Sequence, residues 1–200
     1  MLQEGLSCLP AILLREAGLC TAAMPFDWTF CNVESLIRIL QSDFRHFLDE
    51  STVESLAEEK GRPVAFNKHY DAANPERPFF NHKDPTKTED RNYYLRTIER
   101  FKKLHNTKPC LFVLEEFGEL EQRFESLVDT LNRHWPNMKA YGVSYKPSAE
   151  VPSLTPLKVL DGHQLMSFKA SPIHEGTHFA RREDGELLID GVKRFAASSF

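Results

Sequence analysis

The stretch from Pro109 to Ser144 constrains the fold more than any other part of the chain. Pro109 to Glu115 carries the unbroken apolar run Cys110-Leu111-Phe112-Val113-Leu114, the pattern of a strand buried on both faces. Glu119 to His134 reads as a helix, and Met138 to Ser144 as another strand. Strand, helix and strand at these lengths predict a βαβ unit, and with it an α/β fold around a parallel pair. The chain has 200 residues, 41% of them hydrophobic and 15 of them phenylalanine, enough to bury a core in a single domain over 1–200.

The flanking segments fit the same class. Residues 1–6 suit a short opening strand ended by Gly5, and Ser7-Cys8-Leu9-Pro10 opens a helix to about Ala17. Pro10 is tolerated in the first turn, and Gly18 is a natural stop. After a loop over 19–31, Asn32 caps a helix whose apolar positions Val33, Leu36, Ile37, Leu40, Phe44, Phe47 and Leu48 recur at helical spacing. Ser51 or Thr52 is expected to cap a further helix ending near Gly61. Pro63 to Asn67 is a strand candidate, 68–85 a long polar loop, and Thr86 to Asn106 a helix with an acidic start and a basic end. Past a Pro- and Ser-rich linker (Pro147 to Pro156), Leu157 to Leu160 and Leu165 to Lys169 read as strands. Asp184-Gly185 predicts a C-terminal β-hairpin between residues 179–182 and 187–189.

Composition removes several function classes. A net charge of −4 without a basic patch argues against a nucleic-acid partner. The apolar run Leu9 to Leu14 is too short, and too closely flanked by Glu4, Arg15 and Glu16, for a signal peptide or a membrane span. The four cysteines include no CxxC pair, which disfavours a zinc ribbon or thioredoxin-type site and suits a reducing cytoplasm. GxGxxG, P-loop and GxSxG patterns are missing, so no nucleotide cofactor is expected. His174-Glu175-Gly176-Thr177-His178 matches HExxH, but that motif binds zinc only on a helix. Pro172, Gly176 and Thr177 predict an edge or turn instead, and no metal.

The remaining chemistry centres on Cys8. A thiol at a helix start meets exposed N–H groups and a positive partial charge, which favour the thiolate. The alternative is a small buried hydrophobe. His82, in Phe79-Phe80-Asn81-His82-Lys83-Asp84, is the candidate base, with Asp84 or Asp27 to orient its ring. In Pro25-Phe26-Asp27-Trp28, the aromatics would anchor a turn while Asp27 caps backbone N–H groups or lines the site. Trp28, Phe80 and Asn81 are the candidate substrate contacts.

These residues carry a resemblance. Gly5-Leu6-Ser7-Cys8, Leu13-Leu14-Arg15-Glu16-Ala17-Gly18-Leu19, Pro25-Phe26-Asp27-Trp28, Asp43-Phe44 and Phe47-Leu48 resemble a bacterial family labelled "putative papain-like cysteine peptidases". Phe80-Asn81-His82-Lys83-Asp84 is similar to a later segment of that family. The resemblance implies Cys8 as nucleophile, His82 as base and Asp27 as a site acid. A strand–turn–helix opening followed by βαβ pieces suits a three-layer Rossmann-like or SGNH-hydrolase-like sheet with flanking helices, the papain-like α+β fold being the alternative. A cysteine-nucleophile hydrolase or acyltransferase is therefore expected, without cofactor, acting on a small-molecule, glycan or peptide substrate. The competing reading is a binding or scaffold protein with Cys8 buried.

Overall fold

The computed structural model describes residues 8–56, 61–70, 78–116 and 118–198. The expected opening strand and Gly5 lie outside them. In chain order the elements are α1 (Leu9–Glu16), α2 (Val33–Gln41), β1 (Val53–Ser55), β2 (Ala65–Asn67), α3 (Thr88–Lys103), a 3-10 turn (Leu104–Asn106), β3 (Cys110–Glu116), α4 (Glu119–His134), β4 (Lys139–Pro147), β5 (Ser153–Leu160), β6 (His163–Ala170), β7 (Ile173–His174), β8 (His178–Phe179) and α5 (Arg182–Ser198). They fall into two compact units, one of Met1–Ala22 with His105–Phe200 and the other of Ala23–Leu104.

The first unit holds a mixed sheet in the order β3-β4-β6-β5. β3, β4 and β6 are parallel, and β5 runs antiparallel along the edge of β6. The βαβ unit read from the sequence is β3-α4-β4. Alternation along β4 sorts the two faces. Gly142 faces α4, and a Cβ built there would lie 3.1 Å from Phe124, 3.2 Å from Leu165 and 3.3 Å from Leu120. Tyr141, Val143 and Tyr145 face the other way. There they join Phe112, Leu114 and Phe168 in a core shared with Leu9 and Leu13 of α1 and Leu188, Val192 and Phe195 of α5. Helices thus flank the sheet on both faces, an α/β architecture.

The predicted hairpin at Asp184-Gly185 is replaced by the first turn of α5. Leu188, Gly191, Val192 and Phe195 are buried at three- and four-residue spacing, which only a helix can present to one core. Asp184 is held by that fold: its Oδ2 accepts from the Ser171 N–H at 2.6 Å and from Arg181 Nε at 3.2 Å. An Asp-Gly hairpin does occur, at Asp161-Gly162 between β5 and β6, with φ of 49° and 82°. Two positive φ values are what a two-residue type I′ turn requires. The Pro- and Ser-rich linker shortens to 148–152, because Pro147 ends β4 and Pro156 sits in edge strand β5, where a missing N–H is tolerated.

The second unit has an aromatic core. Asn32 caps α2 as expected, accepting the Ser35 N–H at 2.8 Å. The helix stops at Gln41 rather than running to Leu48, because Asp43 and Phe44 take positive φ values of 49° and 63°. Phe47 is thereby packed edge-on against Phe79, Phe80 and Tyr94, at centroid distances of 5.4, 5.5 and 5.6 Å. The helix expected from Ser51 or Thr52 is not formed: Val53–Ser55 is strand β1, antiparallel to β2, and 57–60 lie outside the described residues. The Asp49 carboxylate takes the N–H and Oγ–H of Ser51, at 3.0 and 2.7 Å, so the capping groups close a turn instead. Phe80 bridges both Ala65 and Thr29, which threads the Phe79-Phe80 segment between β2 and the Pro25–Trp28 turn. Among the described residues no helix is long and apolar enough to cross a membrane.

Candidate functional site

Cys8 belongs to the first unit, and Asp27, Trp28, Phe80, Asn81, His82 and Asp84 belong to the second. Cys8 is the N-cap of α1, and its carbonyl accepts the Ile12 N–H at 3.1 Å. Pro10 fills the first turn, where its missing N–H costs nothing. The thiol gives the helix no side-chain cap, and the residue is 8% exposed. It therefore sits against the positive end of the α1 backbone in a largely dry setting, a combination that strengthens any interaction with a thiolate.

In the second unit the backbone pairing of Phe80 delivers the histidine loop. Ala65 and Phe80 exchange N–H···O=C bonds of 3.0 and 3.1 Å, and the Phe30 N–H donates to the Phe79 carbonyl at 2.8 Å. Phe80 is fully buried and serves as the anchor of the loop. Two residues on, the His82 ring meets Trp28 edge to face, with centroids 5.2 Å apart. Burial lowers the His82 pKa, and the positive charges of Arg62 and then Lys83 lower it further. At neutral pH the ring is the uncharged imidazole, the form that can accept a proton.

The two candidate acids differ in what engages them. Asp84, 1% exposed, accepts Ser55 Oγ–H at 2.6 Å on one oxygen and the N–H and Oγ–H of Thr86, at 3.0 and 2.7 Å, on the other. Burial works against its ionisation, but the Ser55 and Thr86 hydrogen bonds and the nearby Lys87 together hold its pKa below the ordinary carboxylate value. Asp84 also donates its N–H to Asp90 at 2.8 Å, which fastens the loop to the first turn of α3. Asp27 Oδ2 accepts the Met24 N–H at 3.1 Å, so the Pro25–Trp28 turn is closed by its own acid, and Phe26 packs tilted against Phe44 and edge-on against Phe101. The plain reading of that turn, an anchor whose acid caps a backbone N–H, is what this arrangement shows.

Sequence reasoning did not find Ser55, expected in a helix but lying in strand β1, nor Arg62 and Asp90. Only Asp90 left a signal, as an acid in the first turn of a predicted helix. His174 and His178 are cross-strand partners of the β7–β8 hairpin, their rings 5.8 Å apart. Glu175 and Gly176 turn the chain with φ of 51° and 67°, so HExxH is a turn and not a helix. Among the described residues no group of three or more His, Cys, Asp or Glu side chains could hold a metal ion.

A family model described as "Putative papain-like cysteine peptidase" matches residues 3–139, which include Cys8, Asp27, Trp28, Phe80, Asn81, His82 and Asp84 and stop as β4 begins. No curated protein and no solved structure matches the chain.

Proposed function

From the chain's membership of this family of papain-like cysteine peptidases, we propose a thiol-dependent hydrolase in which Cys8 is the nucleophile and His82 its base. The observation that carries the reading is the match itself, because one family model spans both residues. Local chemistry supports each role. The α1 terminus favours the thiolate form of Cys8, and His82 is kept neutral by burial and by Arg62 and Lys83. The imidazole takes the thiol proton, the thiolate adds to an acyl carbon, and the protonated imidazole returns the proton to the leaving group. Water then releases the acyl group. Asp84 or Asp27 orients the ring. Trp28 packs against it, Asn81 contributes to the substrate wall, and the fully buried Phe80 supports that wall from behind. A peptide is the substrate class that the family description favours, and the four free cysteines suit a reducing compartment. The parallel β3-β4-β6 core supports a second reading with the same nucleophile: a Rossmann-like or SGNH-like layer performing ester hydrolysis or acyl transfer.

The test is the rate of Cys8 alkylation as a function of pH, read by peptide mapping. In the wild type, half the plateau rate is expected below the ordinary thiol value of ~8.5. His82→Ala should move that midpoint upward, and Cys8→Ala should abolish hydrolysis of a peptide thioester. Superimposable profiles for wild type and His82→Ala would overturn the pair and favour a binding protein instead.

A further inference from the structure

His82 lies in a span that is fixed at both ends. On its N-terminal side, Phe80 is held by its backbone bonds with Ala65. On its C-terminal side, Asp84-Pro85-Thr86-Lys87 makes a tight turn. The Lys87 N–H donates to the Asp84 carbonyl at 2.9 Å, and the Asp84 carboxylate takes the Thr86 N–H at 3.0 Å. Aspartate in the first position and proline in the second suit such a turn. Only Asn81, His82 and Lys83 separate the two fixed points.

Two side chains from other elements of the same unit hold the turn. Ser55, at the end of β1, donates its Oγ–H to Asp84 Oδ2 at 2.6 Å. Asp90, in the first turn of α3, accepts the Asp84 N–H on one oxygen at 2.8 Å and Lys83 Nζ on the other at 3.0 Å. Each of these bonds ends on a carboxylate, which makes it stronger than a bond between neutral groups. Asp84 is 1% exposed, so water competes little for the bonds it accepts. A strand and a helix thus converge on the two residues that follow the histidine.

We infer that Ser55 and Asp90 are positioning residues for His82, which act through Lys83 and Asp84 to hold the ring at its place beside Trp28. On this account Asp84 serves the loop directly and the ring through the loop. Where His82 is the base, a ring already in place spares each turnover the entropy of ordering its loop. The catalytic consequence rests on the proposed Cys8–His82 pair, whereas the placement of the ring can be measured without it.

Proton NMR of the folded full chain reads that placement, with His82 Hε1 assigned by its loss in His82→Ala. The His82 and Trp28 rings meet edge to face at 5.2 Å, so nuclear Overhauser contacts between them report their separation. Ser55→Ala removes a hydroxyl at an exposed position and alters no charge, so a change at His82 reports position and not field. It should displace the His82 resonance and weaken the contact with Trp28. Hydrogen exchange at the Thr86 N–H should rise about tenfold, as for loss of a bond to a charged group, with the Phe80 N–H unchanged. Ser55→Thr restores the hydroxyl and should restore the wild-type values. Asp90→Asn should speed exchange at the Asp84 N–H and displace His82 as well. An unmoved His82 ring in both Ser55→Ala and Asp90→Asn would overturn the inference, even with faster exchange at 84–86, because the bonds would then serve the turn alone. The pH midpoint of Cys8 alkylation in Ser55→Ala should move towards that of His82→Ala. An unmoved ring, with Cys8 still responding to His82→Ala, refutes only the positioning. A displaced ring, with Cys8 indifferent to His82→Ala, refutes only the base.

Discussion

Cys8 and Cys110 are both thiols among packed side chains, yet their settings push them in opposite directions. Cys110 opens β3 with no helix terminus to favour its anion, and burial pushes its pKa up to about 12. It stays protonated at neutral pH and is a poor nucleophile. Cys8 is the N-cap residue of α1, at the positive end of the helix, although its thiol makes no side-chain cap. In native protein treated briefly with iodoacetamide at pH 7, Cys8 should be alkylated well before Cys110. In denaturant the two should converge, because the difference is one of environment. Mapping that found Cys110 modified first in the native state would remove the case for an activated Cys8. The histidines show the same dependence on surroundings. His82 and His69 are both lowered chiefly by burial, but His69 stacks 4.4 Å from His46, whose charge adds to the effect, whereas His82 answers to Arg62 and Lys83.

Elements fit together through a few close approaches. α4 can lie on β4 because Gly142 has no side chain beneath Leu120 and Phe124, both fully buried. Gly142→Ala adds a methyl with no free space on three sides, and β-strand propensity offers too little to offset the overlap. The substitution should destabilise the fold by about 1–3 kcal/mol, measured by urea unfolding. An unchanged or raised midpoint would mean that α4 can lift from the sheet at little cost. The edge strand β5 shows a different economy. Leu157 and Val159 are exposed on it, which would invite another strand, but Pro156 and a bulge between Pro156 and Lys158 break its pairing register and discourage that addition. The short helix α2 shows a limit of periodicity. Phe44 and Phe47 hold helical spacing in sequence, but the positive φ of Phe44 turns them inward as separate anchors.

For the molecule as a whole, acid stability follows from His163. It is fully buried, its Nδ1 accepts the Ala140 N–H at 3.0 Å, and its Nε2 lies 3.3 Å from Asn132 Oδ1. Burial, with Lys139 adding and Asp161 opposing, brings its pKa down to about 4 from the ordinary histidine value of 6.5. The folded value lies below the unfolded one, so the unfolded chain binds the extra proton. The stabilisation is complete above pH 6.5 and is lost as pH falls towards 4, at most about 3 kcal/mol. Urea unfolding at pH 7 and pH 4.5 should show that loss in the wild type and a smaller one in His163→Gln; equal losses would contradict it. The sequence by itself determined the β3-α4-β4 unit, the start of α1 and the Asn32 cap of α2, because each rests on local pattern within a short window, and the family, through motifs spread along the chain. It could not tell apart the two Asp-Gly pairs. Asp161-Gly162 makes a hairpin because β5 and β6 pair on either side of it. Asp184-Gly185 enters a helix because Leu188, Val192 and Phe195 must reach the core that Tyr141 and Phe168 offer. Nor could it place Ser55 on Asp84 or Arg62 beside the histidine loop. Those meetings depend on β1 pairing with β2 and on Ala65 pairing with Phe80, contacts between segments whose spacing along the chain carries no trace of them.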